Sequence, residues 1–335
     1  MNHSYRAYGL GFISSAKITD LEPALSQLSK PDFKLEVGSL PEWAKFGISL
    51  PGRVLTRRPE VPETDDSSFV LTEYGSAEYF QLAYSDGAQF VVDGRADRIW
   101  GTFQLPLTFE DLVTYFLGPV MGFVLRLRHI TSLHASCVEI SGKGIALCGE
   151  AGAGKSTTAA ALALRDFPVV AEDIVPLKRA EDGYRVIPGY PRICLWPDSV
   201  STLLGTSQAL PLLTPVWEKR FLALDGTRAR FSGRELPLGV IYLFVHRSAQ
   251  ESAPLIHSIS PREALLELVQ NTYMNWLLDR HQRAVEFEFL AQLVQRVPVR
   301  RLVPHSDPKK IGDLCHLIVT DAQSLLNSAP PIHGY

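Results

Sequence analysis

Three groups of residues in this 335-residue sequence have types and spacing suited to chemistry. The densest is Gly149-Glu150-Ala151-Gly152-Ala153-Gly154-Lys155-Ser156, which fits the pattern G-x-x-x-x-G-K-[ST]. Glycines let backbone N–H groups turn inward around phosphate oxygens. The lysine adds a point charge at the β- and γ-phosphates, and the serine hydroxyl ligates Mg²⁺. Such a loop needs a strand before it and a helix after it. Residues 144–148 are an apolar, strand-like run, and residues 157–164 are Ala-rich and helical, so the positive end of a helix dipole stands behind the anion. Gly149 to Thr157 are therefore expected to bind the phosphates of a nucleotide.

The second group is Val169-Val170-Ala171-Glu172-Asp173, starting 14 residues after Lys155. A three-turn helix, a tight turn at 166–168 and a returning strand fill that spacing. A crossover to a parallel strand brings Glu172 and Asp173 to the same sheet edge as the loop. One carboxylate can then hold Mg²⁺ and the other take a proton from an attacking hydroxyl; the residues alone leave the division of roles open. The third group is His134, in Leu133-His134-Ala135-Ser136. A strand histidine by itself reads as structural, and its company raises it.

The elements that must position these groups follow from patterning. Residues 1–106 read as a β-rich domain, with strands near 68–72 and 89–93, a turn at Ser85-Asp86-Gly87, and an exposed loop over 57–67. Residues 107–335 read as an α/β domain of alternating elements. Thr108, with Asp111 three places on, opens a helical stretch. Strands are expected at 134–140, 143–148, 167–171, 239–245 and 299–303, and helices at 156–165, 283–295 and 308–326. A further helix starts at Ser260-Pro261-Arg262-Glu263, with Leu265, Leu268, Val269, Thr272 and Trp276 on one face.

Composition limits the classes. With 33 basic and 36 acidic residues and 46% hydrophobic residues, the chain has neither a disordered composition nor the charge footprint of a nucleic-acid binder. Cys137, Cys148, Cys194 and Cys315 form no Cys-x-x-Cys pair, and read as small core thiols of a cytoplasmic protein. No signal peptide is evident at the N-terminus. The most apolar window, 112–125, is shorter than the ~20 residues of a membrane helix and contains Gly118-Pro119. A buried helix pair, with no membrane partner, is the expectation.

Residues 133–177 resemble the kinase domain of the HPr serine kinase/phosphorylase family, which places a histidine shortly before such a loop and an acidic pair unusually soon after it. The resemblance implies a P-loop kinase fold like that of phosphoenolpyruvate carboxykinase, with ATP and Mg²⁺ as cofactors and γ-phosphoryl transfer to a serine hydroxyl. It makes Asp173 the general base, helped by His134, and leaves Glu172 with Ser156 for the metal. Many members are hexamers, so the resemblance allows a homo-oligomer. Departures are Glu172, where the family usually has aspartate, Thr157, where true HPr kinases usually have glutamate, and the absence of the family's glycine-rich signature after the acidic pair. These departures argue against HPr as the substrate and against phosphorolysis.

In place of that signature stands Pro188-Gly189-Tyr190-Pro191-Arg192-Ile193-Cys194-Leu195-Trp196-Pro197-Asp198. This segment is similar to the HPr-kinase-like proteins associated with lasso-peptide biosynthesis, some of which phosphorylate a precursor peptide. The implied acceptor is a serine of a peptide or protein, presented partly by the N-terminal domain. A small-molecule hydroxyl (free serine or a sugar) and a nucleotide-hydrolysing switch without acceptor are the alternatives. Arg192 and Lys219-Arg220 are candidate cations for the transferred phosphoryl group, with a surface cation or salt-bridge partner as the alternative for each; Arg192, between prolines, is slightly favoured. Trp196, Trp217 and Trp276 read as core or interface residues.

Overall fold

The computed structural model describes residues 2–19, 21, 30–58, 68–277 and 279–328. Most of the loop expected at 57–67 lies outside the described residues. The chain divides into two compact units, Met1–His129 with Leu212–Lys219, and Ile130–Pro211 with Arg220–Tyr335.

The first unit is built on a sheet of β1 (His3–Ala7), β2 (Leu10–Ser14), β3 (Phe33–Val37), β4 (Gly52–Arg58), β5 (Phe69–Tyr74), β6 (Tyr79–Tyr84), β7 (Gln89–Asp93) and β8 (Arg98–Thr102). The strand order is β1-β2-β3-β8-β7-β6-β5-β4. β3 pairs parallel with both its neighbours. Alternating burial along β6, with Phe80, Leu82 and Tyr84 inward, is the signature of a sheet with one face in the core. Among the described residues, helices α1 (Glu42–Ser49), α2 (Phe109–Tyr115) and α3 (Met121–Leu127) accompany the sheet.

The Thr108–Asp111 capping box is present at the start of α2. Between α2 and α3 the helix breaks at Gly118 (φ −92°, ψ −105°), just before Pro119, whose ring excludes a helical predecessor and whose nitrogen cannot donate. Phe116 packs on Phe12 and Phe33 at 5.4 and 6.2 Å between ring centroids, and Phe123 meets Phe80 at 5.1 Å. The helical stretch that the sequence placed at the head of the second domain falls with the first unit, because its aromatic partners are there. Among the described residues no helix is long and apolar enough to cross a membrane.

The second unit contains β9 (Ser132–Ile140), β10 (Lys143–Cys148), α4 (Lys155–Ala163), β11 (Val169–Ala171), β12 (Ile174–Ala180), β13 (Gly183–Val186), β14 (Arg192–Leu195) and α5 (Pro197–Leu204). It continues through β15 (Arg220–Ala223), β16 (Leu236–Phe244), β17 (Leu255–Ser258), α6 (Pro261–Gln270), α7 (Arg280–Leu293), β18 (Val299–Val303) and α8 (Ile311–Ser328). β10 pairs parallel with β16, and β16 parallel with β18. Side chains alternate between two cores. Ile145, Leu147, Val240 and Tyr242 join α4 and α8 residues such as Ala160, Ala161 and Ile318. Ala146, Cys148, Ile241 and Leu243 join Ala264 and Leu268 of α6 and Leu290 and Leu293 of α7. Helices thus cover both faces, giving a mixed α/β unit.

Two expectations change. The return from α4 does not reach a strand beside β10, because β9 occupies that place through a two-residue hairpin. Ser141 and Gly142 both adopt positive φ there, as a tight hairpin turn requires. β11 therefore pairs with β9; it runs in the direction of β10 with β9 between them. The capping box at Ser260 and Glu263 is present, but α6 ends at Gln270, so Thr272 and Trp276 leave its face. Thr272 forms an isolated bridge to Leu133 instead, and Trp276 sits in a short turn of 3-10 helix.

Candidate active site

β10 delivers the chain to Gly149, where the backbone turns with φ +153°. A Cβ there would stand 3.0 Å from the Cβ and carbonyl oxygen of Phe244, so the loop can leave the sheet this closely only with glycine. The loop enters α4 through Gly154 at φ +106°, in the left-handed region that side chains avoid. α4 then runs Ala-rich behind it, buried from Thr158 to Ala163, with Thr158 N–H donating to Gly154 O at 2.9 Å. Small side chains allow the helix to lie close to the sheet, which fixes the loop at its N-terminus.

Lys155 is 6% exposed, and its Nζ donates to Gly149 O and Glu150 O, both at 2.8 Å. Burial lowers its pKa below the ordinary lysine value, opposed chiefly by the charge on Asp173, with Glu172 and Glu150 contributing. The ammonium is thus held at the loop and flanked by carboxylates.

Glu172 and Asp173 lie between β11 and β12, which pair successively with β9. Asp173 takes φ +64°, and this turn sends the two neighbouring acids into different surroundings. Glu172 is 5% exposed and accepts from Ser156 Oγ at 2.7 Å. The Asp173 side chain is 40% exposed and lies 3.4 Å from His134 Nε2. Its carbonyl accepts from Ala135 N–H at 3.2 Å. His134 faces Ile174 across the strand pair, so the register of β9 against β12 sets the His134–Asp173 pair.

Ser156 and Glu172 thus meet on one side, with His134 and Asp173 as a second pair. Two oxygen donors of this kind suit Mg²⁺, which takes hard oxygens from one or two protein groups plus substrate phosphate. Among the described residues there is no group of three or more His, Cys, Asp or Glu able to hold a metal by itself.

Arg192 is 2% exposed on β14, with its guanidinium over the rings of Tyr190 (5.4 Å) and Phe221 (5.6 Å). It is not a surface cation. Tyr190 is held neutral well above the ordinary tyrosine pKa by burial, with the charge of Arg192 opposing and those of Glu172 and Asp173 adding. Arg220 donates to Leu210 O at 2.7 Å, and Lys219 belongs to the first unit. Thr157 Oγ1 pairs with Ser199 Oγ on α5 at 2.8 Å.

One segment was missed from sequence. Where β10 turns away after Cys148, residues 271–273 take its place beside β9: His134 N–H donates to Asn271 O and Tyr273 N–H to Ser132 O, both at 2.8 Å. The Tyr273 ring stands edge-on to His134 at 6.0 Å. No local motif marks this segment; its place comes from the pairing left open at the end of β10.

A profile of the HPr Serine kinase C-terminal domain matches residues 126–190, which include β9, the loop, α4 and the acidic pair. The HPr kinase/phosphorylase of Lactobacillus delbrueckii subsp. bulgaricus is 34% identical over 88 residues, 26% of this chain and 28% of that protein. That of Clostridium acetobutylicum is 39% identical over 69 residues, 20% of this chain and 23% of that protein. The chain thus spans less than a third of the length of these relatives. A solved structure, the Hpr(Ser) kinase/phosphatase from Coxiella burnetii, covers 58% of this chain and 92% of its own, at 15% identity and a TM-score of 0.34. The matched segment holds the loop, His134 and both acids, and over residues 126–190 this chain is similar to the HPr serine kinase C-terminal domain.

Proposed function

We propose that this protein is an ATP- and Mg²⁺-dependent kinase that transfers a γ-phosphoryl group to a serine hydroxyl of a peptide or protein. The observation that carries the reading is the separation of the two neighbouring acids, Glu172 against Ser156 at 2.7 Å and Asp173 against His134 at 3.4 Å. Phosphoryl transfer asks for positioning and charge neutralisation, plus one group to take the acceptor proton.

In this reading the N–H groups of residues 149–156 and the Lys155 ammonium hold the triphosphate. Ser156 and Glu172 would hold Mg²⁺, which when bound neutralises charge on the phosphate oxygens. The half-exposed Asp173 carboxylate takes the proton of the serine hydroxyl as its oxygen bonds to the γ-phosphorus. The bond from that phosphorus to the bridging oxygen breaks, and ADP leaves. His134 orients Asp173, and Arg192 is assigned to charge on the transferred group. A metal-side role for Asp173 is less suitable, since it is Glu172 that meets the loop serine. The compartment is the cytoplasm, where ATP is supplied.

The finer proposal for the acceptor is a precursor peptide of the lasso type, supported by the proline-aromatic segment at 188–198. The test is transfer of label from γ-labelled ATP to serine-terminated peptides, HPr, free serine and simple sugars. Label on a peptide that vanishes with Asp173→Asn supports the proposal. Label on HPr restores the relatives' named substrate, and label on serine or a sugar changes the acceptor class. Free phosphate alone, indifferent to every acceptor, overturns the kinase reading in favour of a nucleotide switch.

A further inference from the structure

In the antiparallel pair of β14 and β15, Arg192 faces Ala223 and Cys194 faces Phe221. Side chains two apart on a strand point the same way, so Arg192, Cys194, Phe221 and Ala223 share one face of this ribbon. The other face sends Ile193, Leu195, Leu222 and Leu224 into the core. A cation on the outer face of a two-stranded ribbon is expected to meet solvent, yet Arg192 is only 2% exposed. The small Ala223 opposite it leaves room for the guanidinium to lean over its diagonal neighbour. That neighbour is Phe221, whose ring centroid lies 5.6 Å away, and the ring of Tyr190 lies at 5.4 Å.

This face is anchored beside the acids. Gly189 N–H donates to Val170 O at 2.9 Å, two residues before Glu172, and Arg192 N–H donates to Tyr190 O at 2.8 Å. Leu224 N–H donates to Pro191 O at 3.0 Å, tying the end of β15 to the same segment. The Tyr190 phenol, kept neutral by burial, also feels the charges of Arg192, Glu172 and Asp173. Cation, rings and acids thus occupy one neighbourhood. A guanidinium is planar and weakly hydrated, so a ring face both offsets its lost hydration and fixes its tilt.

We propose that Phe221 is a positioning residue, its ring holding the Arg192 guanidinium in the orientation that meets the γ-phosphate of ATP; this rests on the assignment of Arg192 to the transferred group. Phe221 acts only through Arg192 and does not itself touch the nucleotide. An aliphatic side chain of similar size fills the same space but offers no negative ring face to the cation.

The γ-phosphate is what ATP has and ADP lacks, so the test reads the ratio of the Kd for ADP to the Kd for ATP, each with Mg²⁺, by calorimetry and without any acceptor. Wild type is measured beside Arg192→Ala, Phe221→Leu, Phe221→Tyr and the double variant of Arg192→Ala with Phe221→Leu. Phe221 is half-buried, and Phe221→Tyr keeps the ring where Phe221→Leu removes it. Arg192→Ala is expected to lower the preference for ATP about tenfold, as loss of a charge-assisted contact does. Phe221→Leu should lower it about fivefold and Phe221→Tyr less than about twofold, with the Kd for ADP unchanged. In the Arg192→Ala background, Phe221→Leu should add nothing, because the two residues act as one unit. The positioning role is overturned, with Arg192 left in place, by a Phe221→Leu variant that keeps the wild-type preference, that lowers it equally in both backgrounds, or that weakens ATP and ADP alike. A Phe221→Tyr variant as impaired as Phe221→Leu overturns it too. An Arg192→Ala variant with the wild-type preference removes Arg192 from the transferred group, and the role of Phe221 falls with it.

Discussion

Glu172 and Asp173 are adjacent in sequence, yet one is buried against Ser156 and the other half-exposed against His134. Residue types and spacing identified the pair; only the positive φ of Asp173 distinguishes the members, and no side-chain pattern encodes that turn. Asp173→Asn is expected to keep ATP affinity within twofold while lowering turnover by about 10²–10⁴-fold, the range of a lost general base; unchanged turnover would remove Asp173 from that role. Lys155→Ala should lose nucleotide affinity and activity together, measured by calorimetry and label transfer. The lowered pKa of Lys155 also has a sign. Between that value and 10.5 the free protein has lost a proton that an unfolded lysine keeps, so stability from this group rises with pH across the window. A bound triphosphate restores the charge. ATP binding at alkaline pH should therefore take up a proton and weaken as pH rises, which calorimetry in buffers of different ionisation enthalpy will read; proton release would contradict it. Arg192 was legible as an arginine between prolines, but its burial was not, since that follows from the pairing of β14 with β15.

At the scale of elements, the strand–loop–helix core from β9 to α4 was legible because each boundary has a local cause. The hairpin has its Ser-Gly turn, the loop its glycines, and α6 its capping box. What was not legible depends on pairing between distant segments: β9 between β10 and β11, or residues 271–273 extending the line of β10. The end of α6 was overrun for a related reason, since Thr272 continues its apolar spacing but bridges to Leu133, and Trp276 lies in a separate turn. Gly154→Ala should strain the loop by roughly 1–2 kcal/mol from the left-handed backbone alone, and its Cβ would also press on Arg247. Expected are a lower Tm and weaker ATP binding, and full wild-type affinity would show that the loop adopts another path. Ser260→Ala removes an acceptor that takes Glu263 N–H at 3.3 Å. It should cost about 1 kcal/mol in denaturant unfolding, without changing ATP affinity.

For the whole molecule, composition and alternation of strand and helix fixed the class, while the division of the chain was set by packing. The aromatic residues of α2 and α3 carry the first unit to His129, and the short stretch Leu212–Lys219 belongs to it as well. There Trp217 meets Tyr115 edge-on at 5.3 Å, and Leu213 N–H donates to Lys219 O at 2.8 Å. A single tryptophan in a sequence does not announce which core it serves. All four cysteines are free, three of them buried, and burial pushes the Cys148 thiol up to about 12. Native alkylation followed by mass spectrometry should therefore label Cys194 first and spare Cys137 and Cys148. The placement of Leu212–Lys219 also bears on synthesis. A ribosome that has finished residue 129 has not yet made all of the first unit; about ninety further residues must follow, on the order of ten seconds at ~5–20 residues per second. Until then Tyr115 waits without its tryptophan, so the N-terminal unit, although first from the ribosome, is completed only after residues 130–211 of the second unit have also been made.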